Sequence, residues 1–496
     1  MNRIFAATFV AATLVPAAAL AQGTDSGSFI DLGGGLLAEP ADPLVNQPGV
    51  LGPQAAGGGA ADPAGPVAPE ILRRNEGTGP LVTIGLSTGV VYDDEEDEET
   101  EAYFVTRVDI GLLADTRNQT FRFDFGVEGR IEEGMGISDF TEPEAQIAYA
   151  LANRSTQFEL FLSWSESDVE SDFLPANFDD EDLITDQGTE ERHAARILLE
   201  TGRDARFGTI TSLGFSQIDY TDTTDPDLAN ETTYDASTTL RFTLDRRVDL
   251  RLFASWVQSE EDNAEERRDT DTRYGIGADI LLSPAWTGTV DLAITDSEVR
   301  TTGGTTDTEG YDIRAEATRF LPNGQLIFSV GRVETDAPID TIAVTRSLAL
   351  ASGAQISASA GLVAFDGEDI YPAFGLAYQQ EIVRGGVLFV TLTQTGGETD
   401  DDEDLFRTLL NAVFERELTR NSSIAVTGAV ASVDRIDGSA DDTLAASLGL
   451  AYSHDLTEDW ALVARADHRR NFEDGSETDR ESEFSLRLER TFSFRP

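Results

Sequence analysis

The chain of 496 residues has no cysteine and no lysine, so all 36 of its basic side chains are arginine. Without cysteine there is no disulfide framework, no thiolate metal site and no residue for lipid attachment. Any metal would have to be held by oxygen or imidazole. Histidine is nearly absent as well: His193, His454 and His468 stand far apart and show no ligand spacing in the chain. Basic charge is scarce beside 91 acidic residues, leaving a formal net charge of −55. Phosphate binding needs a basic surface, so nucleic acid is excluded as a partner. Beyond the first 21 residues no apolar run approaches the roughly 20 residues that span a bilayer as a helix. A helical inner-membrane protein is therefore excluded. Acidity of this degree with little apolar content would predict disorder, but hydrophobic residues make up 40% of the chain. Their arrangement decides the fold.

At the N-terminus Arg3 precedes the apolar stretch Ile4 to Val15, and Ala19-Leu20-Ala21 closes it before Gln22. That order of charge, apolar core and small residues predicts a signal peptide over residues 1–21. Residues 22–79 are rich in Gly, Ala and Pro, as in Gly33-Gly34-Gly35, Gly57-Gly58-Gly59 and Pro63 to Pro69. They follow neither period and predict a flexible periplasmic or lumenal segment.

From Leu81 the pattern changes to alternation of period two in segments of about ten residues, the length of a tilted membrane-spanning strand. Phe121, Phe123, Phe125 and Val127 share one face, set against Arg122, Asp124, Gly126, Glu128 and Arg130 on the other. The division recurs in Phe158-Leu160-Leu162-Trp164, in Val248-Leu250-Leu252-Ala254-Trp256, in Tyr274-Ile276-Ala278-Ile280-Leu282 and in Phe406-Thr408-Leu410-Ala412-Phe414. Phe161, Phe253, Leu281, Leu409 and Val413 interrupt the polar face. Alternation alone also fits a soluble sandwich, so a second feature is needed. Short connections, such as Thr116 to Gln119, Asn153 to Thr156, Asp245 to Arg247, Leu321 to Gly324 and Leu418 to Asn421, alternate with longer acidic ones. The latter include Asp93 to Glu101, Asp168 to Glu191, Glu260 to Asp271, Glu398 to Asp404 and Asn471 to Asp479. Short turns on one rim and long loops on the other distinguish a membrane barrel. Trp164 and Trp256 close strands that lead into long loops, and Trp286 and Trp460 stand beside short turns, which predicts two interfacial girdles. Together these features predict an all-β fold: a transmembrane antiparallel up-and-down β-barrel over residues 80–496, of about 22 strands within a range of about 20–24. The turns are periplasmic, the long acidic loops extracellular, and both ends lie in the periplasm.

The strand and acidic connection Gly89-Val90-Val91-Tyr92-Asp93-Asp94, followed by Tyr103-Phe104-Val105-Thr106, resembles the outer-membrane, porin-like β-barrels of Gram-negative bacteria, in particular those of alphaproteobacterial type. The resemblance implies an outer-membrane location, contact with membrane lipid and lipopolysaccharide, and assembly by the barrel-assembly machinery. Such barrels end in an alternating strand with a terminal aromatic. Here Phe484, Leu486, Leu488, Phe492 and Phe494 supply it, but Arg490 interrupts the face and Arg495-Pro496 follow.

Nothing in the chain predicts an enzyme. Gly85-Leu86-Ser87-Thr88-Gly89 matches a nucleophile-elbow spacing, yet it lies inside a strand with no helix to follow. The expected functional residues line a lumen: Arg107, Asp109, Arg122, Asp124, Glu128, Arg130, Glu159, Asp249, Arg251, Asp279, Asp291, Arg314, Glu316, Arg407 and Glu415. Charges of both signs on a lumen wall set ion preference. No cofactor is expected. Asp93, Asp94, Glu95, Asp400, Asp401 and Asp402 are candidates for weakly held calcium or magnesium, which prefer carboxylate oxygen, although no EF-hand spacing is present. The function expected from these features is passive passage of small cationic or neutral solutes through a porin-like channel. The alternatives are a non-conducting surface barrel whose acidic loops bind cations, lipopolysaccharide or a partner, and an export channel for a secreted polymer. A barrel this wide is usually plugged, and the chain has no plug of the length found in TonB-dependent transporters.

Overall fold

Period-two alternation makes these segments strands because it gives each one an apolar and a polar face. In the computed structural model the chain forms 22 of them. The structure describes residues 79–495, apart from 96–100, 132–136, 169–187, 224–228, 263–266, 334–338, 366–368, 399–403, 436–442 and 474–475. The expected signal peptide, nearly all of the Gly/Ala/Pro-rich segment and Asp400, Asp401 and Asp402 lie outside the described residues.

The first strands are β1 (Leu81–Glu95), β2 (Glu101–Asp115), β3 (Gln119–Ile131), β4 (Ile137–Ala152), β5 (Thr156–Asp168), β6 (Thr189–Thr201), β7 (Phe207–Thr221) and β8 (Glu231–Thr243). Next come β9 (Val248–Glu261), β10 (Arg268–Ser283), β11 (Trp286–Thr301), β12 (Gly304–Leu321), β13 (Gly324–Val333), β14 (Ile339–Ala349) and β15 (Gln355–Phe365). The last are β16 (Asp369–Val383), β17 (Gly386–Glu398), β18 (Asp404–Thr419), β19 (Ser422–Arg435), β20 (Thr443–Asp455), β21 (Trp460–Glu473) and β22 (Ser476–Phe494).

Each strand pairs antiparallel with the next in the chain. β22 returns to β1 in a continuous register from Val82↔Phe494 to Glu95↔Glu481. The sheet has no free edge, which satisfies every ladder hydrogen bond without water and suits the fold to hydrocarbon. The two faces differ sharply. Ile276, Leu292, Leu448 and Ile370 are 56%, 44%, 58% and 65% exposed, as are their counterparts around the barrel. A soluble protein does not leave a continuous apolar belt bare. This face is turned to lipid, and the charged face is turned inward.

Strands of up to 19 residues (β22) exceed the roughly 9–11 needed to cross a bilayer, and the surplus lies at one rim. This corrects the expected loops. Asp93, Asp94 and Glu95, read as the start of a long acidic loop and as candidates for weakly held calcium or magnesium, continue β1. Glu260 and Glu261 likewise end β9, and Asp269 and Asp271 lie in β10. The described ends of these acidic connections, such as 93–95, 260–261 and 268–271, are therefore strand that continues toward that rim. The opposite rim has short turns in which the Ala285 N–H donates to the Ser283 hydroxyl and the Asn421 N–H donates to the Thr419 hydroxyl. A bulge falls in β4, where the register shifts opposite Gly126 and Glu128. Pro143, which has no N–H to offer the ladder, lies in the shifted stretch, and Glu142 before it takes a positive φ of 51°. Phe406 departs from the expected alternation. It packs on the buried cluster of Ile339, Val363 and Tyr371, edge-on to the Tyr371 ring at 5.6 Å.

Candidate functional site

The inward face is built from a repeated unit in which an arginine on one strand reaches a carboxylate two strands away across a residue too small to obstruct it. Arg107 on β2 is 6% exposed. It pairs with Asp109 on its own strand at 2.9 Å and with Glu144 on β4. Between them lies Gly126 of β3, where a Cβ would stand 2.7 Å from both the Arg107 Nη2 and the Glu144 Oε1. Arg251 on β9 reaches Asp291 on β11 at 2.8 Å and Asp279 on β10 at 3.4 Å, and Gly277 of β10 lies beneath. Arg273 on β10 reaches Asp312 on β12 at 2.7 Å across Ala293. Asp312 is also held by Arg314 at 3.0 Å. The widest span joins Arg487 on β22 to Glu128 on β3 at 2.6 Å, over β1 and β2. Only on the concave side of a closed sheet can two side chains cover that distance. These charges are thus lumenal. They are buried in one another's company and rigidify the wall.

All fifteen residues expected to line a lumen fall on this inward face by strand alternation. Several are joined to each other: Arg107 to Asp109, Arg122 to Asp124 at 2.5 Å, and Arg251 to both Asp279 and Asp291. Arg130 lies over the Tyr103 ring at 3.7 Å. Others find partners of a different kind. Glu159 accepts from Gln157, and Glu316 accepts from the Thr318 hydroxyl at 3.0 Å. Asp249 stands opposite Asp279. Arg407 and Glu415 belong to a part of the wall where charge is sparse. From β13 to β20 the inward positions are mostly small and uncharged, as in Ala343, Ser359, Ala373, Thr391, Ala429 and Ser447. The lumen therefore has a charged arc facing a neutral one.

A grouping that the sequence pattern did not show lies toward the projecting rim. There the register sets Asp93 opposite Glu483, and Glu483 opposite Asp467. Three carboxylates stand in one inward cross-strand row, an arrangement that costs stability unless positive charge compensates it. Glu190 and Asp269, 2% and 3% exposed, continue the acidic character on β6 and β10. They are paired to Arg192 and Arg267, respectively. Asp93 was visible as part of an acidic run, but nothing in the chain pattern joins it to Glu483.

The four tryptophans lie on the outward face near the strand ends. Trp164 and Trp256 are toward the projecting rim, and Trp286 and Trp460 begin β11 and β21 at the short turns. Each of the latter two carries an arginine. Arg319 lies over Trp286 at 5.5 Å, and Arg490 lies over Trp460 at 5.0 Å and over Phe492 at 4.2 Å. The break that Arg490 makes in the last strand's apolar face is thus closed by two rings.

No family model matches the chain, and no curated protein matches it in sequence. Solved structures do match its fold. The ferric-catecholate import receptor Fiu of Escherichia coli K12 superposes with a TM-score of 0.55 at 8% identity, covering 84% of this chain and 82% of that one. The siderophore receptor PirA of Acinetobacter baumannii gives 0.52 at 7% identity over 84% and 81%. The copper transporter OprC gives 0.52 at 9% identity over the same shares. These identities establish the architecture alone. The expectation of a porin-like passive channel is corrected by these neighbours, which are a ferric-catecholate import receptor, a siderophore receptor and a copper transporter rather than passive porins. The protein is a closed 22-strand outer-membrane β-barrel of the Gram-negative type.

Proposed function

We propose that the barrel is an import receptor of the outer membrane whose cargo is a metal ion or metal complex bearing positive charge. The row Asp93–Glu483–Asp467 carries this reading. Three inward carboxylates at the extracellular side attract a cation and repel an anionic chelate, and the chain's net charge of −55 extends that field outward. The neighbours named for siderophores and for copper frame the choice of cargo. Among those two kinds, the acidic row favours the cationic one. The neutral arc of β13 to β20 offers the body of a complex small side chains and hydroxyls to slide against.

The test is uptake by whole cells with and without the barrel, comparing Cu2+, Zn2+ and a cationic ferric chelate with ferric enterobactin, an anionic one. Saturable, barrel-dependent accumulation is expected for at least one cation and not for the anion. Barrel-dependent uptake of ferric enterobactin alone, or of nothing in the panel, would overturn the reading.

A further inference from the structure

A second cluster lies on the opposite face of the wall. Outward positions of β5, β6 and β7 follow the parity of Ile197, Leu199 and Leu213, which are 37%, 38% and 49% exposed. Continuing toward the extracellular rim, the same parity brings up Trp164, Glu166, Glu191, His193, Gln217 and Asp219. The register sets Glu166 opposite Glu191, and Glu191 opposite Asp219, so three carboxylates again share one row. His193 lies one step below, between Trp164 and Gln217. It is the one basic residue at an outward position of these three strands among the described residues.

The side chains are already drawn together. One ligand atom each from Glu191, His193 and Asp219 lies within 4.8 Å of the other two. The His193 Nε2 is 3.2 Å from the Glu191 Oε1, and these two side chains are 39% and 40% exposed, open to ions from solution. Two neighbours outside the triad hold the carboxylates in place. The Trp164 indole N–H donates to the Glu191 Oε1 at 2.7 Å, and the Gln217 amide donates to the Asp219 Oδ2 at 2.7 Å. Orientation of a ligand by a second hydrogen bond is a common feature of metal sites.

We propose that Glu191, His193 and Asp219 form a divalent-metal site on the outer wall of the barrel, at the extracellular edge of the membrane. The donor set selects the ion. One imidazole with two carboxylates suits zinc or manganese, whereas calcium takes six to eight oxygens. Three protein ligands leave coordination positions open to water or to an anionic oxygen. Trp164, directly below, places the cluster at headgroup depth, where lipid phosphates present such oxygens. The site is separate from the inward row, and its occupation does not depend on what the lumen carries.

Calorimetric titration of the folded barrel with Zn2+ in phosphate-free neutral detergent tests the proposal, with Mn2+ titration read by electron paramagnetic resonance beside it. One ion per barrel is expected at this site, beyond any held by the inward row, and the variants assign it. Glu191→Gln and Asp219→Asn should each weaken binding at least about tenfold, and His193→Ala should weaken zinc more than manganese. The outward Asp340→Asn, whose carboxylate pairs with Arg332 at 2.9 Å, should leave the titration unchanged. Because Trp164 touches Glu191, Mn2+ should also quench tryptophan fluorescence in the parent but not in Trp164→Phe. Folding of each variant is checked by heat-modifiable gel mobility. The proposal is overturned if the folded barrel binds no stoichiometric ion, if neither carboxylate variant changes the affinity, or if Asp93→Asn alone abolishes binding.

Discussion

Glu128 and Arg487 meet at 2.6 Å although 359 residues separate them in the chain. Their bond crosses β1 and β2, and Gly89 of β1 leaves the space through which Arg487 passes, since a Cβ there would lie 2.7 Å from the Arg487 Cγ. The pair therefore fastens the seam where the last strand returns to the first. Removing one partner of a buried pair costs about 3–5 kcal/mol, because the other charge is left in place. Glu128→Ala is accordingly expected to lower the urea midpoint for loss of the folded gel form. Glu128→Leu with Arg487→Met should recover most of that loss, and equal loss in single and double variants would count against the seam.

Gly277 has a different task. It lies under the bond between Arg251 and Asp291 and meets the Asp291 Oδ1 closely enough that a methyl group has no room. Gly277→Ala should destabilise the barrel by about 1–3 kcal/mol, as overpacking does. Gly428→Ala is the control, because the nearest atom to its Cβ is the Ser447 carbonyl oxygen at 3.8 Å. It should change stability by less than about 0.5 kcal/mol.

The assignment of faces makes an opposite pair of predictions for one substitution. Ile276, 56% exposed and outward, faces lipid. An arginine there should cost about 2–4 kcal/mol near the bilayer midplane. Thr391, inward on the neutral arc, should accept arginine with little loss. Unfolding titrations in the same lipid compare them, and similar costs at both positions would contradict the assignment.

Arg490 tests the periplasmic girdle. Its guanidinium is shared by Trp460 and Phe492, contacts worth about 0.5–2 kcal/mol. Arg490→Lys should be nearly neutral, whereas Arg490→Glu should both lose the ring contacts and slow insertion of the last strand. The rate of heat-modifiable mobility gain during refolding reads this directly.

Much of this architecture was legible in the chain. Phe121 to Val127, with Arg122 to Arg130 between and beyond, shows both faces of a strand at once, and the parity of turns leads to about 22 strands. Two things were not legible. The acidic stretch around Asp93 reads as a loop because charge runs usually solvate loops, but closure of the barrel lets such residues stay paired in strands beyond the membrane. The sites themselves depend on register between strands. His193 and Glu191 are two apart in the chain, a spacing with no special meaning until β7 places Asp219 beside them. Likewise, nothing near Asp93 announces Glu483, because only closure of β22 on β1 makes them neighbours.

The most direct test of the account is cation uptake by cells carrying the barrel with Asp93→Asn, Asp467→Asn and Glu483→Gln combined, compared with the parent at equal surface abundance. If the inward row captures cationic cargo, uptake at limiting concentration should fall at least about tenfold, equivalent to about 1.4 kcal/mol of lost attraction, while the folded gel form persists. Unchanged uptake by the folded triple variant would contradict the account.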